Sequence, residues 1–222
     1  MSSSRLLAAA RDTWNNRHVR LSGVPRTATP ADIRRLCAKQ KVENIDQYAI
    51  EYHNFRPTRN AIVSFTTADL RRSATPRLQN SVLGGYRLTV NNAREPNWQN
   101  ASRGRGARGK HEASLRGIIR GDGPGAGIQG SGKNVILSGV PGKTDPEAVR
   151  GFLRSFELYN LDSEQDVVKL EWEPFTQSWF STYLIRLDSV SDAHHLVRRA
   201  NMSYWYPSRH GGRFQLRAHV VY

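Results

Sequence analysis

The first element of the chain is predicted by a period-two alternation of apolar and polar residues. Residues 19–22 read Val-Arg-Leu-Ser, which is the pattern of a strand with one buried face. Thr29 and Pro30 then supply a helix N-cap and a proline at the first helical position. The apolar residues that follow recur at helical spacing and predict a helix with a core-facing stripe: Ile33, Leu36 and Cys37.

Four more elements complete this first segment in the order strand, strand, helix, strand. Residues 48–52 and 61–65 alternate as two strands, and Gly84-Gly85 precede a final strand over 86–90. A second segment repeats the order, with a helix starting at Asp145-Pro146, strands over 168–172 and 183–187, and a final strand over 214–220. Its second helix is predicted to follow a capping Ser191, with one apolar face: Ala193, Leu196, Val197 and Ala200.

The two segments are copies of one module. Residues 17–25 read Arg-His-Val-Arg-Leu-Ser-Gly-Val-Pro, and residues 133–141 read Lys-Asn-Val-Ile-Leu-Ser-Gly-Val-Pro, at an offset of 116 positions. At the same offset Pro30 aligns with Pro146 and Arg34 with Arg150. An internal repeat of this length predicts two domains with the same fold.

A segment of different composition separates the copies. Residues 93–132 hold ten glycines and five Arg-Gly dipeptides. Such a segment buries too little apolar surface to offset its chain entropy, so it predicts a flexible linker that spans roughly 35 Å as a coil. The predicted organisation is therefore an N-terminal segment (1–16), a first domain (17–92), a linker (93–132) and a second domain (133–222).

The element order and the Val-x-Leu-Ser-Gly-Val-Pro start resemble the RNA recognition motif family over residues 17–92 and 133–222. The resemblance implies an α+β fold of two ferredoxin-like βαββαβ domains. Each would have a four-stranded antiparallel sheet with two helices on one face, leaving the other face for RNA. The family stacks bases on aromatic side chains at three places per domain, and none of the six is aromatic here: Arg20, Asn60, Ile62, Ile136, Thr182 and Leu184.

The charge of the chain is concentrated in one half. The formal net charge is +14, and it comes mostly from arginine. Residues 17–92 hold 13 basic and 5 acidic side chains, and the linker holds 7 and 3, whereas residues 133–222 hold 11 and 10. A positive balance of this size favours a polyanionic partner. The distribution assigns that partner to the first domain and the linker.

The predicted RNA contacts are mainly arginines, which pair with phosphates and stack on bases. Strand alternation places Arg20 and Arg87 on the open sheet face beside Asn60 and Ile62, and Arg56 and Arg59 flank the loop between the second and third strands. The Arg-Gly segment adds Arg103, Arg105 and Arg108. The alternative is that the arginines are solvated surface charges and that the Arg-Gly segment is only a spacer.

The second domain is predicted to contact either protein or RNA. Lys169 and Glu171 are expected on its sheet face, where an acidic group would repel phosphate. The residues that would serve as protein anchors there are aliphatic or aromatic: Ile136, Phe180, Leu184 and Trp205.

No catalytic or metal-binding constellation is recognisable in the sequence. Cys37 is the only cysteine, and the adjacent His194 and His195 would diverge by about 100° on a helix. The segment 127–134 ends in Asn134 where a phosphate-binding loop needs Ser or Thr, and a strand follows it where that loop needs a helix. We therefore expect no enzyme activity, cofactor, metal or small-molecule substrate. No apolar run reaches the roughly 18 residues of a membrane span.

Two functional hypotheses follow. The first is a non-catalytic RNA-binding protein that holds single-stranded RNA or RNA within a ribonucleoprotein. The second is a structural or adaptor subunit of a larger ribonucleoprotein, such as a mitochondrial ribosome, whose degenerate sheet faces dock protein. Residues 1–16 contain serine and arginine with no acid before Asp12, which resembles a mitochondrial presequence. Nucleus and cytoplasm are the alternative locations.

Overall fold

The computed structural model describes residues 16–93, 121–159, 166–170 and 179–222. These residues form two compact units. Residues 16–93 together with Asp122–Ala126 make up the first unit, and the described residues from Gly127 to Tyr222 make up the second. The predicted N-terminal segment and most of the predicted linker lie outside the described residues.

The first unit contains two helices and seven strands among its described residues. The helices are α1 (Pro30–Lys39) and α2 (Ala68–Leu78). The strands are β1 (His18–Ser22), β2 (Ile45–His53), β3 (Arg56–Phe65), β4 (Val82–Leu83), β5 (Tyr86–Arg87), β6 (Thr89–Asn92) and β7 (Gly123–Pro124).

The second unit repeats this plan with fewer strands in its described part. Its helices are α3 (Pro146–Leu153), α4 (Val190–Ala200) and the short α5 (Pro207–His210). Its strands are β8 (Asn134–Pro141), β9 (Val167–Leu170), β10 (Phe180–Arg186) and β11 (Arg217–Val221).

The two sheets share one strand order. The sheet of the first unit runs β6-β1-β3-β2-β7, and that of the second runs β11-β8-β10-β9. In each, the first and third strands of the module are the central pair, the last and second strands flank them, and all pairings are antiparallel. The predicted α+β class with ferredoxin-like βαββαβ connections is therefore confirmed.

The glycine of the repeated Ser-Gly-Val-Pro sequence explains why the motif occurs in both copies. Gly23 and Gly139 both have a φ of +91°, which an L side chain rarely adopts. A Cβ on Gly23 would lie 2.8 Å from the carbonyl oxygen of Arg87, and one on Gly139 would collide with the carbonyl oxygen of Gln215. At both positions the end of the first strand passes close to the chain that enters the last strand.

The helix starts follow capping chemistry. The Thr29 hydroxyl caps α1 by accepting from the Asp32 amide, and the Asp32 carboxylate accepts from the Thr29 amide, which completes a capping box. Hydrogen bonds from Thr29 hold the pKa of the Asp32 carboxyl below its ordinary value. The predicted cap of α4 is wrong: Ser189, not Ser191, accepts from the Asp192 amide, so the helix begins one residue after Ser189.

Each unit has its own hydrophobic core between sheet and helices. In the first unit the central strands contribute Val19, Leu21 and Val63 to a cluster that includes Ile33 and Cys37 from α1. The corresponding cluster of the second unit contains residues from β8, β10, α3 and α4: Val135, Leu137, Tyr183, Ile185, Val149, Leu153, Ala193 and Leu196. Burial of these apolar side chains is the main favourable contribution to folding of each unit.

The last strand of the first module differs from the prediction. Residues 86–90 do not form one strand, because Leu88 turns into the core and is fully buried. Its amide donates to the carbonyl of Ser81, and its carbonyl accepts from the amide of Asn80. Tyr86 and Arg87 therefore pair with β4 in a separate hairpin, and only Thr89–Asn92 joins the sheet beside β1.

The C-terminal end of the predicted linker is structured. Gly123 and Pro124 form β7, which pairs with Tyr52 and Glu51 at the edge of β2 and adds a fifth strand to the first sheet. Beyond it, the Asn134 amide group donates to the carbonyls of Gln129 and Gly130 in the second unit. The structure thus differs from the predicted linker over residues 122–132.

Candidate nucleic-acid interface

Polar side chains dominate the face of the first sheet that lies opposite the helices. The strand registers put Arg20 and Ser22 of β1, Asn60 of β3 and Asn91 of β6 on this face. Thr89 pairs with Ser22 and lies on it too. This confirms that Arg20 and Asn60 share the face, as the alternation predicts.

Arg20 is engaged by an acidic side chain on the same face. Its Nη2 lies 2.7 Å from Oε1 of Glu51, and the side chain of Arg20 is 47% exposed whereas that of Glu51 is 12% exposed. Since β3 lies between β1 and β2, the two side chains meet above β3. Part of the charge of Arg20 is therefore neutralised within the protein. Sequence reasoning did not pair Glu51 with Arg20, because that contact depends on a register across three strands.

Ile62 is not available as a surface residue. It pairs with Arg20 on one side and Ala49 on the other, yet only 3% of it is exposed. The prediction that Ile62 contacts RNA from an open sheet face is wrong on this geometry. An aliphatic side chain on a sheet gains free energy when it is withdrawn from water, and the Arg20–Glu51 pair crosses the strand that carries it.

Arg59 and Tyr86 form an exposed platform at the end of the first unit. The guanidinium carbon of Arg59 lies 4.9 Å from the centroid of the Tyr86 ring, and Tyr86 is half exposed. Guanidinium groups stack favourably on aromatic faces and leave the other side of the ring open to a ligand. Tyr86 was missed by the sequence analysis, although its place directly after Gly84-Gly85 identifies it as a residue beside a turn.

Arg56 lies next to a tight turn between β2 and β3. His53 pairs with Arg56, and the two residues between them, Asn54 and Phe55, both have positive φ angles of 49° and 59°. This is the geometry of a two-residue type I′ hairpin. The turn projects the exposed Arg56 from the end of the sheet, as the prediction that it flanks this loop requires.

Asp122 joins this turn to the segment that carries β7. Its Oδ1 accepts from the Asn54 amide at 2.9 Å and lies 2.8 Å from Nδ1 of His53. The β2–β3 turn is therefore held at both its strand edge and its loop.

Arg87 does not lie on the sheet face where it was predicted. It belongs to β5, pairs with Val82 and is exposed on the β4–β5 hairpin. The physical reason is the inward turn at Leu88, which separates this hairpin from β6. Arg87 therefore shares the hairpin with Tyr86. Arg103, Arg105 and Arg108 lie outside the described residues.

The centre of the sheet face of the second unit is apolar and buried. Ile136 of β8 and Leu184 of β10 lie opposite the helix-side core, as predicted, but they are 3% and 0% exposed. Val168 and Leu170 of β9 lie on the same face and are also buried. The prediction that Ile136 and Leu184 form an open docking surface is wrong, because these aliphatic side chains are withdrawn from water.

Lys169 lies on the other face of the sheet. It pairs with Tyr183, a residue of the helix-side core, and its Nζ donates to the carbonyls of Gly142 and Thr144. The hydroxyl of Tyr183 donates to the same Thr144 carbonyl, and burial raises the pKa of Tyr183. The predicted Lys169 on the sheet face is therefore incorrect, and its predicted neighbour Glu171 lies outside the described residues.

The two aromatic residues predicted as protein anchors have opposite environments. Trp205 is a core residue: it is 3% exposed, and its ring lies 4.9 Å from that of Phe152. It is therefore not an anchor for a partner, because contact would require the core to open. Phe180, by contrast, is 52% exposed at the start of β10.

The described residues contain no cluster of three or more His, Cys, Asp or Glu that could hold a metal ion. In the same part of the chain, no helix combines the length and the apolar character that a membrane span needs. Cys37 is buried, and burial raises the pKa of its thiol to about 12.

Comparisons with known proteins find likeness only among solved structures. No family model matches the chain, and no curated protein matches it. RNA recognition domains 1 and 2 of Sex-lethal from Drosophila melanogaster are 14% identical over 93% of this chain and 100% of that one, with a TM-score of 0.30. The Rna15 RRM is 22% identical over 36% of this chain and 91% of that one, with a TM-score of 0.32.

A third solved structure contains the N-terminal three RNA-binding domains of the yeast splicing factor Prp24. It is 13% identical over 92% of this chain and 64% of that chain, with a TM-score of 0.31. At these TM-scores the fold assignment rests on the strand order and connections of the two sheets.

Proposed function

We propose that this protein is a non-catalytic RNA-binding protein that holds RNA chiefly through arginine–phosphate contacts from the first domain and the Arg-Gly segment. The observation that carries the proposal is the confinement of charge: residues 17–132 hold 20 basic and 8 acidic side chains. A balance of this kind attracts a polyanion by releasing its condensed counterions.

The residues assigned to RNA differ in how accessible their charge is. Arg56, Arg59 and Arg87 are exposed around the β2–β3 turn and the β4–β5 hairpin, and no described acidic side chain forms an ion pair with them. Arg20 shares its charge with Glu51. Phosphate contacts are therefore assigned first to the three arginines at the end of the unit, and Asn60 is assigned to hydrogen bonding on the sheet face.

The Arg-Gly segment supplies a second set of phosphate contacts. Arg103, Arg105 and Arg108 alternate with small residues, so a chain of this composition can follow a nucleic-acid backbone with little sequence preference. A spacer would need only glycine or serine for its reach. The density of arginine in the segment favours a direct role in binding.

A salt titration of RNA affinity tests the proposal. The affinity of the full chain for a labelled 20-nucleotide single-stranded RNA would be measured between 50 and 200 mM salt. Log K falls as log salt rises, and each lost phosphate contact makes this negative slope shallower by about 0.7. Substituting Arg103, Arg105 and Arg108 by glutamine should lower the slope by about 2. The matched control removes three charges from the second unit: Lys133→Gln, Arg154→Gln and Arg198→Gln. An equal loss in the control would contradict the proposed division between the two halves.

A structural or adaptor subunit of a larger ribonucleoprotein is the second candidate. Its motivating observation is that no stacking place carries an aromatic ring, so free base recognition by the sheet faces is disfavoured. Of the four residues predicted to dock protein, Phe180 alone is exposed. Purification from cells separates the candidates: a particle of fixed protein composition supports the subunit, and varied transcripts without it support the free RNA-binding protein.

A mitochondrial location stays a proposal that rests on residues 1–16. Their serine and arginine content and the scarcity of acidic side chains support it. A fluorescent protein carrying residues 1–16 at its N-terminus should reach mitochondria. The same fusion with Arg5→Glu and Arg11→Glu should not, and unchanged diffuse fluorescence from both fusions would oppose the location.

A further inference from the structure

The second unit has a net charge near zero, but it contains two regions of opposite net charge. Residues 133–192 hold six basic and ten acidic side chains. Residues 193–222 hold five arginines and neither aspartate nor glutamate. The C-terminal thirty residues are therefore a local basic region, whose field favours an anionic partner even though the whole unit is nearly neutral.

Exposed aromatic rings lie beside the C-terminal part of this region. Trp179 is 85% exposed and Phe180 is 52% exposed. The Phe180 ring lies 5.9 Å from that of Phe214 at 75°, and Phe214 meets His210 at 5.5 Å and 87°. These four residues, together with Arg213 and Arg217, are called the C-terminal aromatic surface. Exposed aromatic groups that adjoin one another mark interaction sites more often than scattered ones do.

Backbone hydrogen bonds hold both chain segments that carry these rings. The Trp179 carbonyl accepts from the Gly142 amide at 2.9 Å, and the Phe214 carbonyl accepts from the Trp205 amide at 2.9 Å. Phe180 pairs with Pro141 in the sheet, just before a bulge between Ser181 and Thr182. The rings therefore project from fixed positions, which reduces the entropy that a ligand must spend on ordering them.

The positive charges beside these rings favour an anionic ligand. Arg213 and Arg217 are exposed, and neither has an acidic partner among the described residues. An unpaired base offers a flat π surface to Trp179 and Phe180, and its phosphate offers an acceptor to a guanidinium. Aromatic rings interleaved with unpaired arginines are thus complementary to a single strand rather than to a duplex, whose bases are already stacked.

We propose that the C-terminal aromatic surface is a second RNA-binding site, which stacks unpaired bases on Trp179 and Phe180 and pairs phosphates with Arg213 and Arg217. This inference rests on the proposed function and adds to it a base-stacking contribution from the second unit. The site lies at the start of β10 and at the start of β11 with the chain before it, next to the stacking place Thr182: Phe180 is two residues before Thr182 on β10, and Arg217 pairs with Ser138, which also pairs with Thr182. On this proposal, single-stranded RNA binds the second unit more tightly than a duplex does, because only unpaired bases can stack on these rings.

The test compares full-chain variants with labelled 20-nucleotide oligouridine and a duplex of equal length. Trp179→Ala should weaken oligouridine binding by roughly 5- to 150-fold, the range for loss of one stacked base, and should leave the salt slope unchanged. Arg213→Gln should lower that slope by about 0.7. Tyr159→Ala, which removes a half-exposed aromatic ring elsewhere in the same unit, is the matched control and should bind like the parent chain.

Three outcomes would overturn the inference. If Trp179→Ala binds oligouridine like Tyr159→Ala while the Arg-Gly variant loses slope, this site fails and the proposed function stands. If the parent chain binds no RNA, both fail. If Trp179→Ala leaves RNA binding intact but releases a protein that co-purifies with the parent chain, the surface docks protein and not RNA.

Discussion

Single contacts decide which arginines can reach a phosphate. Arg20 occupies a stacking place on the sheet face, yet its guanidinium lies 2.7 Å from Glu51. A phosphate must compete with that carboxylate for the same donors. Arg59, in contrast, stacks on Tyr86, and no acidic side chain of the described residues forms an ion pair with it. A count of charges along the sequence therefore overestimates the positive charge that the sheet face can present to a phosphate. It also underestimates the contribution of the arginines at the β4–β5 hairpin.

Removing the carboxylate should strengthen RNA binding. Glu51→Gln keeps the shape of the side chain and frees the charge of Arg20, so the affinity of the full chain for single-stranded RNA should rise. The slope of log K against log salt should steepen by about 0.7. Arg20→Gln should have a smaller effect than Arg56→Gln in the same titration. Equal losses for these two arginines would contradict the pairing of Arg20 with Glu51.

The one cysteine should be chemically silent in the folded protein. Burial raises the pKa of the Cys37 thiol to about 12, so it is almost wholly protonated at pH 8, and the thiolate is the reactive form. Raising the pH from 7 to 9 should leave alkylation by iodoacetamide slow in the native state. Urea should make it fast, because unfolding returns the pKa toward its ordinary value. Rapid labelling without urea would show that the α1 face is not packed as described.

The capping residue of α1 could be predicted from sequence because capping is local. Thr29-Pro30 lies within one turn of everything it contacts. Glu51 could not be predicted as a partner of Arg20, since the pair needs the register of three strands and a β-bulge between Ile50 and Tyr52. Ile62 was predicted correctly as to face but not as to exposure, which depends on what lies above the sheet.

Among the elements, β9 is fixed to α3 by one buried ion pair. Asp166, which precedes β9, is fully buried, and Arg150 of α3 reaches it with Nη2 at 2.7 Å and Nε at 2.9 Å. Glu147, one turn earlier on α3, adds a second carboxylate to Arg150. The hydrogen bond to Asp166 is the main reason that the pKa of Arg150 is raised. Because the Asp166 carboxylate is fully buried, removing Arg150 alone would leave an unpaired charge in the core and lower the free energy of unfolding.

Truncating the cation should therefore destabilise the second unit. Arg150→Met leaves Asp166 buried without its partner, and loss of one member of a buried pair costs about 3–5 kcal/mol. Urea unfolding monitored by circular dichroism would measure the change. Arg154→Met, one turn further on and exposed, is the matched control and should alter stability by less than about 0.5 kcal/mol. Similar losses in both variants would mean that the pair carries no special stability.

The contact of Asp122, just before β7, with the β2–β3 turn can be tested by hydrogen exchange. Asp122→Ala removes the acceptor of the Asn54 amide and the partner of His53. Hydrogen exchange at the Asn54 amide should become faster, because a turn amide without an acceptor is open to water. Asp69→Ala, an exposed acid of α2, should leave that amide unchanged. Unchanged exchange in Asp122→Ala would show that β7 does not hold the turn in solution.

Helices and central strands could be predicted because their periodicity spans many residues. The last strand of the first module could not: Tyr86, Leu88 and Val90 alternate with polar residues as they would in one strand, and only the packed structure shows that the chain divides at Leu88 into β5 and β6. The edge strand β7 was missed because Gly123-Pro124 has no strand pattern. Its pairing comes from the free edge of β2, which any extended segment can join.

For the whole molecule, the division of charge is the feature that sequence describes best. Counting basic and acidic residues needs no structure, and it separates residues 17–132 from the nearly neutral remainder. The structure changes the picture of the second unit, where the predicted sheet-face anchors Ile136 and Leu184 are buried and Trp179 is exposed. Exposure of a single tryptophan next to a strand start cannot be predicted from a pattern that also fits a core residue.

The salt dependence of RNA binding by each half of the chain would show directly where most of the phosphate contacts lie. The division into units places the cut between Ala126 and Gly127, so that fragment 1–126 keeps β7 and fragment 127–222 keeps its whole sheet. Circular dichroism would first establish that each fragment is folded. We predict a steep fall in RNA affinity with salt for 1–126 and a weaker, shallow dependence for 127–222. Equal affinities and equal slopes for the two fragments would show instead that the phosphate contacts are divided evenly between the two halves, against the assignment of most of them to residues 17–126.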